Sequence, residues 1–152
     1  MTRIQHTLTI ERPVREVWDY VLDARNDPVW HTNVVEVGEG ADRPVEVGVE
    51  IQETFGFLGR RLPLTFVVTE HEPTTRSAVE VTGGPVPGRG SYEFEPAGEG
   101  TRFTYTLETD AHGLFKLAEP VFARMARREV ATSCEHLKDL LESRNDSRTD
   151  GP

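Results

Sequence analysis

The chain has 152 residues, the size of one domain, and can bury about 70% of the surface that its unfolded form exposes. Its 17 Lys and Arg against 26 Asp and Glu give a net charge of −9, which repels nucleic-acid phosphates and acidic membrane surfaces. Nucleic acid is therefore not an expected partner. A single cysteine, Cys134, excludes an intramolecular disulfide and a multi-cysteine metal site, and it favours a reduced, cytoplasmic compartment.

We expect neither a secretory signal at the N-terminus nor a membrane-spanning helix. No apolar run approaches the ~20 residues of a membrane-spanning helix, so membrane insertion is not expected. The N-terminal segment MTRIQHTLTI alternates apolar and polar residues, unlike a secretory signal, and the C-terminal segment SRNDSRTDGP is polar without an apolar anchor. We expect one domain over residues 1–143 and a disordered tail over residues 144–152.

The first elements along the chain are a strand and a helix. Residues 3–10 alternate in polarity, which predicts a strand with His6 on its apolar face. Pro13 fits the first position of a helix, because its missing N–H is not needed there. Apolar residues then recur at helical spacing and include Trp18, which is predicted to lie in the core.

A second, short helix is expected directly afterwards. Asp27 followed by Pro28 is a helix-start signal, with Asp27 as the N-cap residue. This helix would carry Trp30 and end before the strand-rich part of the chain. A helix of one or two turns is not stable alone, so it must pack on another element.

Six further strands and one long helix follow. The strands are indicated by alternating apolar residues around positions 34–37, 47–57, 62–68, 79–81, 92–94 and 103–107, with turn signals about every ten residues. With the first strand they predict seven antiparallel strands in a meander. Apolar residues at a helical period then predict a C-terminal helix over about residues 114–142, with a break or kink at Pro120.

This order of elements resembles that of the START-like superfamily. The segments IERPVREVWDYVLD and HLKDLLES and the tryptophan at position 30 carry the same resemblance. The chain is most similar to the polyketide cyclase/dehydrase and lipid-transport branch, over residues 3–142. The resemblance implies an α+β helix-grip fold, in which a seven-stranded antiparallel sheet wraps the long C-terminal helix and two short helices follow the first strand. It also implies an apolar cavity that Trp30 closes off; the alternative is that Trp30 only fills the core.

The sequence carries no recognisable catalytic or metal-binding motif. G-x-S-x-G is absent, and Cys134 lies between Val130 and Leu137 at helical spacing, which is typical of a small buried residue. The five histidines are scattered, and the Glu-His-Glu run at 70–72 alternates across a strand. We predict no catalytic residue, no metal site and no cofactor.

Polar residues on apolar strand faces are the candidate ligand contacts. His6, Glu53 and Tyr105 need hydrogen-bond partners when buried, and a ligand's hydroxyl or carbonyl group could supply them. Burial would raise the pKa of Glu53, which suits acid–base chemistry. The competing interpretations are a His6 satisfied within the core and a Glu53 open to solvent at a strand end. The predicted ligand-binding set also includes large apolar side chains: Trp30, Phe55, Phe66, Phe94, Phe103, Phe122 and Met125.

Three classes of function fit these features. The first is binding or transport of a hydrophobic small molecule, such as a lipid, a polyketide or an isoprenoid, in an internal cavity. The second is a polyketide cyclase, aromatase or dehydratase that uses acid–base residues of the same cavity, and the third is a protein-interaction or regulatory domain. The sequence leaves open which of these three functions the protein has, and it leaves the oligomeric state open. Because alternate turns of a meander lie at one end, the mouth is expected at residues 56–59, 83–90 and 112–115.

Overall fold

The computed structural model describes residues 2–84, 87–109 and 119–149, with the backbone alone for residues 119 and 145–149. The predicted helix start at residue 114 and the predicted mouth segment 112–115 lie outside the described residues. The elements are β1 (Thr2–Ile10), α1 (Val14–Val21), a short 3₁₀ helix (Ala24–Asn26), α2 (Asp27–Trp30), β2 (Val34–Val37), β3 (Glu50–Phe57), β4 (Arg60–Glu72), β5 (Arg76–Gly83), β6 (Gly88–Ala97), β7 (Gly100–Thr109) and α3 (Glu119–Thr149).

The strands form one antiparallel sheet of seven strands in the order β1-β7-β6-β5-β4-β3-β2. Strands β2 to β7 are sequential neighbours, as a meander requires, but β1 pairs with β7, so that His6 lies opposite Tyr105. The two edge strands are therefore consecutive in sequence, and the segment between them, with α1 and α2, crosses from one edge to the other. On this path α2 contacts both β2 and α3.

The core lies between the sheet and one face of α3. The buried residues of α3 include Val130, Cys134, Leu137 and Leu141, three or four positions apart, as expected of an amphipathic helix. Each large apolar side chain buried in this way contributes about 1.5–3 kcal/mol to stability. The predicted α+β helix-grip architecture is confirmed. The α3 residues share a cluster with side chains from the strands and from both short helices: Ile4, Ile10, Val17, Trp18, Val21, Trp30, Phe94 and Phe103.

Polar contacts hold the C-terminal part of α3 against β1. The Nζ atom of Lys138 donates to the carbonyl oxygen of Thr9 at 2.6 Å, and the backbone N–H of Glu11 donates to the Glu142 carboxylate at 2.9 Å. The backbone of α3 is helical as far as Thr149, and the disordered tail expected over residues 144–152 stays a prediction. Although α3 has 31 residues, no helix in the described part of the chain has the apolar composition needed to cross a membrane.

Candidate functional site

A cavity of about 320 Å³ lies between the concave face of the sheet and α3. This volume is within the range of about 300–1,000 Å³ that small-molecule sites occupy. Its wall is built mainly from strands β3 to β7 and from α3, and Phe57 of β3 meets Phe122 of α3 with ring centroids 5.5 Å apart. The wall is mostly apolar and includes Ile51, Phe55, Leu64, Phe66, Val68, Val79, Val81, Leu107, Phe122 and Met125.

The cavity meets solvent at the β3–β4 and β5–β6 turns. Leu58 in the first turn lines the cavity and is also 71% exposed. Pro87 and Arg89, at the second turn and the start of β6, line the cavity and are exposed as well. Of the segments predicted to form the mouth, residues 56–58 and 87–90 therefore line this opening, while residues 85–86 and 112–115 are outside the described part of the chain.

Two acidic side chains, Asp27 and Glu53, lie together in the cavity wall. Their side chains are hydrogen-bonded to each other, which requires them to share a proton. Burial, reinforced by the neighbouring Glu53 carboxyl group, raises the pKa of Asp27 well above its usual range. Burial also raises the pKa of Glu53, although the hydrogen bond from Asp27 opposes that rise. Both carboxyl groups therefore hold their protons more strongly than exposed carboxyl groups do.

The sequence prediction that Asp27 caps α2 is wrong. The helix begins at Asp27 itself, Asn26 occupies the N-cap position, and no side chain makes a capping hydrogen bond. The carboxyl group instead lines the cavity beside Glu53. The indole N–H of Trp30 acts on the Asp27 carboxyl group and slightly opposes the rise of the Asp27 pKa. The Trp30 Nε1 atom is nevertheless buried without a partner in hydrogen-bond geometry.

A second polar pair, His31 and Tyr92, lies in the same wall. The His31 Nε2 atom is 2.8 Å from the Tyr92 phenolic oxygen. Burial lowers the pKa of His31 to about 3, so the imidazole is neutral near pH 7, and burial raises the pKa of Tyr92. The Tyr105 ring lies 5.1 Å from Tyr92 and 5.6 Å from His31, measured between centroids. Burial raises the pKa of Tyr105 too, so both phenols keep their protons and can donate hydrogen bonds.

The residues after α2 are tied to the long helix, which places His31. The backbone N–H of Thr32 donates to the Ser133 hydroxyl at 3.0 Å, and the Thr32 hydroxyl donates to the Glu129 carboxylate. Ser133 and Glu129 both line the cavity. The polar part of the wall is therefore held by contacts from α2, α3 and the sheet, so its groups are positioned before a ligand enters.

The structure separates the predicted ligand contacts into two groups. One group lines the cavity: Glu53, Phe55, Phe66, Tyr105, Phe122 and Met125. The other does not line it, because its members are buried in the core or lie under α3: His6, Trp30, Phe94 and Phe103. Whether the first group binds a ligand stays a prediction.

Trp30 and His6 each have a structural reason for their position. Trp30 is 0% exposed and stacks behind His31 with ring centroids 3.7 Å apart, so it supports the wall and does not close the cavity. His6 lies on β1, which packs under α3, and its Nε2 atom is 3.9 Å from the Glu135 carboxylate. The core-filling alternative is thus the better interpretation of Trp30.

Sequence reasoning missed Asp27, His31 and Tyr92 as wall residues. Asp27 was obscured by a capping signal, and His31 followed a helix too short to indicate a face. Tyr92 shares the alternating face of β6 with Phe94, so that pattern could have placed it beside Tyr105. Among the described residues, no group of three His, Cys, Asp or Glu side chains is arranged to hold a metal ion.

The family follows from a comparison with protein-family models. Residues 1–142 match the model described as polyketide cyclase/dehydrase and lipid transport. The chain belongs to this family. The match covers β1 to β7 and α3 as far as the contact between Glu142 and Glu11, so it includes the whole cavity wall. No curated protein matches the sequence.

Solved structures share the fold of this polyketide cyclase/dehydrase family member at low sequence identity. TTHA0849 from Thermus thermophilus is 18% identical with a TM-score of 0.77, over 90% of this chain and 94% of that chain. The Zhui aromatase/cyclase from Streptomyces sp. R1128 is 16% identical with a TM-score of 0.77, over 93% and 94%. A START superfamily protein from Mycobacterium smegmatis is 15% identical with a TM-score of 0.70, over 97% and 99%. At these identities the likeness shows the fold alone.

Proposed function

We propose that the protein binds a largely apolar small molecule in the cavity between the sheet and α3. The observation that supports this most is the composition of the wall. Apolar side chains such as Phe66 and Met125 cover most of it, while Asp27, Glu53, His31 and the two tyrosines provide a group of polar contacts. Small-molecule sites have this character, with apolar burial for affinity and a few polar groups for orientation.

The expected affinity is moderate. Burial contributes about 25 cal/mol per Å² of apolar surface before the cost of ordering the ligand, so micromolar binding of a bicyclic or medium-chain ligand is expected. The aromatic wall, where the Phe55 and Phe66 rings meet edge to face with centroids 5.9 Å apart, favours flat ring systems as well as chains.

A calorimetric titration with naphthalenemethanol and decanol tests this proposal. The cavity-filling variant Val79→Trp should lose binding, because Val79 lines the cavity and tryptophan would occupy its volume. Val47→Trp is the matched control, since Val47 is 65% exposed and does not line the cavity. Heat of binding in the wild type and in Val47→Trp, but not in Val79→Trp, supports the proposal. No binding by the wild type, or equal binding by both variants, contradicts it.

The Asp27–Glu53 pair favours a second candidate function, a dehydratase or cyclase that acts on β-hydroxy ketones. The Glu53 carboxylate would remove a proton from the carbon next to the ketone. The electron pair of the broken C–H bond would form the carbon–carbon double bond as the hydroxyl leaves. Asp27 would give its proton to that hydroxyl, which departs as water, and the pair again holds one proton. The O–H group of Tyr92 or Tyr105 would donate to the ketone oxygen.

Turnover separates the two candidates. With a phenyl-substituted β-hydroxy ketone, the enzyme candidate predicts formation of the conjugated enone, which near-ultraviolet absorbance detects. Asp27→Asn and Glu53→Gln should each abolish it, whereas Asp139→Asn on the exposed face of α3 should not. Ligand binding without enone formation would contradict the enzyme candidate and support the binding function.

A further inference from the structure

We propose that the cavity selects apolar molecules that carry a basic amine, with the ammonium group bound at Glu53. This inference rests on the proposed binding function and names the class of ligand.

Asp27 and Glu53 place two carboxyl groups side by side in the wall of the cavity. An amine that enters can take a proton from a carboxyl group or meet a carboxylate there, and water screens the resulting ion pair poorly. The titratable groups around this pair are neutral or acidic. They are Asp23, His31, Tyr92, Tyr105, Glu129 and Cys134.

No described cation faces these two carboxyl groups. Arg89 is the one lining residue of the described chain with a basic side chain other than His31. The Arg89 side chain is 66% exposed, and its Nε atom lies 3.6 Å from the Glu108 carboxylate, so its charge is already engaged near the mouth. The imidazole of His31 is neutral and contacts Tyr92. Two carboxyl groups without a basic partner favour a ligand that brings a positive charge.

The hydrogen-bond capacity of Glu53 is also unused. Among the described residues, no side chain other than Asp27 donates a hydrogen bond to it. The buried indole N–H of Trp30 acts on Asp27 without reaching hydrogen-bond geometry and has no other partner. Both Asp27 and Glu53 line the cavity, so a ligand can reach them. An ammonium group supplies three donors and the missing charge together.

Three ligands with one skeleton test the inference: naphthalenemethylamine, naphthalenemethanol and naphthoate, each titrated calorimetrically at neutral pH. A hydrogen bond to a charged group is stronger than one between neutral groups. We therefore expect the amine to bind about tenfold tighter than the alcohol, and naphthoate to bind more weakly than both. An amine that binds no tighter than the alcohol overturns the inference while leaving the binding function intact. If none of the three binds, the binding function itself fails.

Variants identify the residue responsible. Glu53→Gln removes the Glu53 carboxyl group and should reduce the preference for the amine over the alcohol to within about threefold. Glu80→Gln, an exposed residue outside the cavity, is the matched control and should behave like the wild type. If Glu53→Gln keeps the full preference for the amine, or Glu80→Gln loses it, the assignment of the ammonium contact to Glu53 is overturned. Thermal unfolding of each variant checks that it is folded.

Discussion

The Nε2 atom of His31 lies 2.8 Å from the phenolic oxygen of Tyr92, although 61 positions separate the two residues in the chain. This bond joins the segment after α2 to the middle of β6 and holds a neutral imidazole in the cavity wall. It satisfies two polar side chains that would otherwise be buried at a cost of about 1–3 kcal/mol each. The first prediction concerns this contact.

His31 should destabilise the protein in acid. Its pKa is about 3 in the folded protein against an ordinary 6.5, so below pH 6.5 the unfolded chain binds the proton that the folded protein refuses. The free energy of unfolding should therefore fall as the pH drops from 6.5 towards 3, at up to about 1.4 kcal/mol per pH unit. Urea unfolding of His31→Gln should lack this loss. His136→Gln, an exposed histidine on α3, should retain it, and an unchanged acid limb in His31→Gln would refute the prediction.

Asp27 should have the opposite effect. Its folded pKa lies well above the ordinary 3.8, so the folded state holds a proton that the unfolded chain has released. Its contribution to stability is complete below pH 3.8 and is lost as the pH rises through the folded pKa. Asp27→Asn should therefore gain stability relative to the wild type between pH 4 and pH 8. Urea unfolding midpoints across this pH range measure the difference. The midpoint of Asp139→Asn should change with pH in the same way as that of the wild type.

Cys134 should be inert in the folded protein. Burial raises the pKa of its thiol from the ordinary 9.0 to about 12, so the thiolate fraction at pH 8 falls about a thousandfold. A maleimide should thus modify the chain at least about 100-fold more slowly in buffer than in urea. Mass spectrometry over time follows the reaction. Modification at equal rates in both conditions would show that the sheet does not cover this face of α3.

Trp30 should matter for stability more than for ligand contact. The side chain is fully buried behind His31, so Trp30→Ala should lower the free energy of unfolding by about 3–5 kcal/mol. The neighbouring Val29 is 49% exposed, so Val29→Ala should change it by no more than about 0.5 kcal/mol. Chemical denaturation compares the two variants. Equal effects would place Trp30 outside the core.

Local patterns in the sequence were enough for the elements and for the faces of the strands. Alternation every second residue put Glu53, Phe55 and Phe66 on apolar faces, and all three line the cavity. Helical spacing similarly indicated that Cys134 is a buried residue of α3. These predictions succeed because a face is set by the geometry of a few consecutive residues, which the sequence shows directly.

Only the tertiary structure decided which side chains meet. Pairing of β1 with β7 turned a plain meander into a sheet whose edges are joined through α1 and α2, and that connection carries Asp27 to Glu53 and His31 to Tyr92. The local signal for Asp27 favoured a helix cap, but burial beside a second carboxyl group prevailed. The proton shared by the pair depends on a neighbour 26 positions away in the chain, and the neutral state of His31 depends on the exclusion of water between the sheet and α3. A sequence pattern spanning a few residues contains neither.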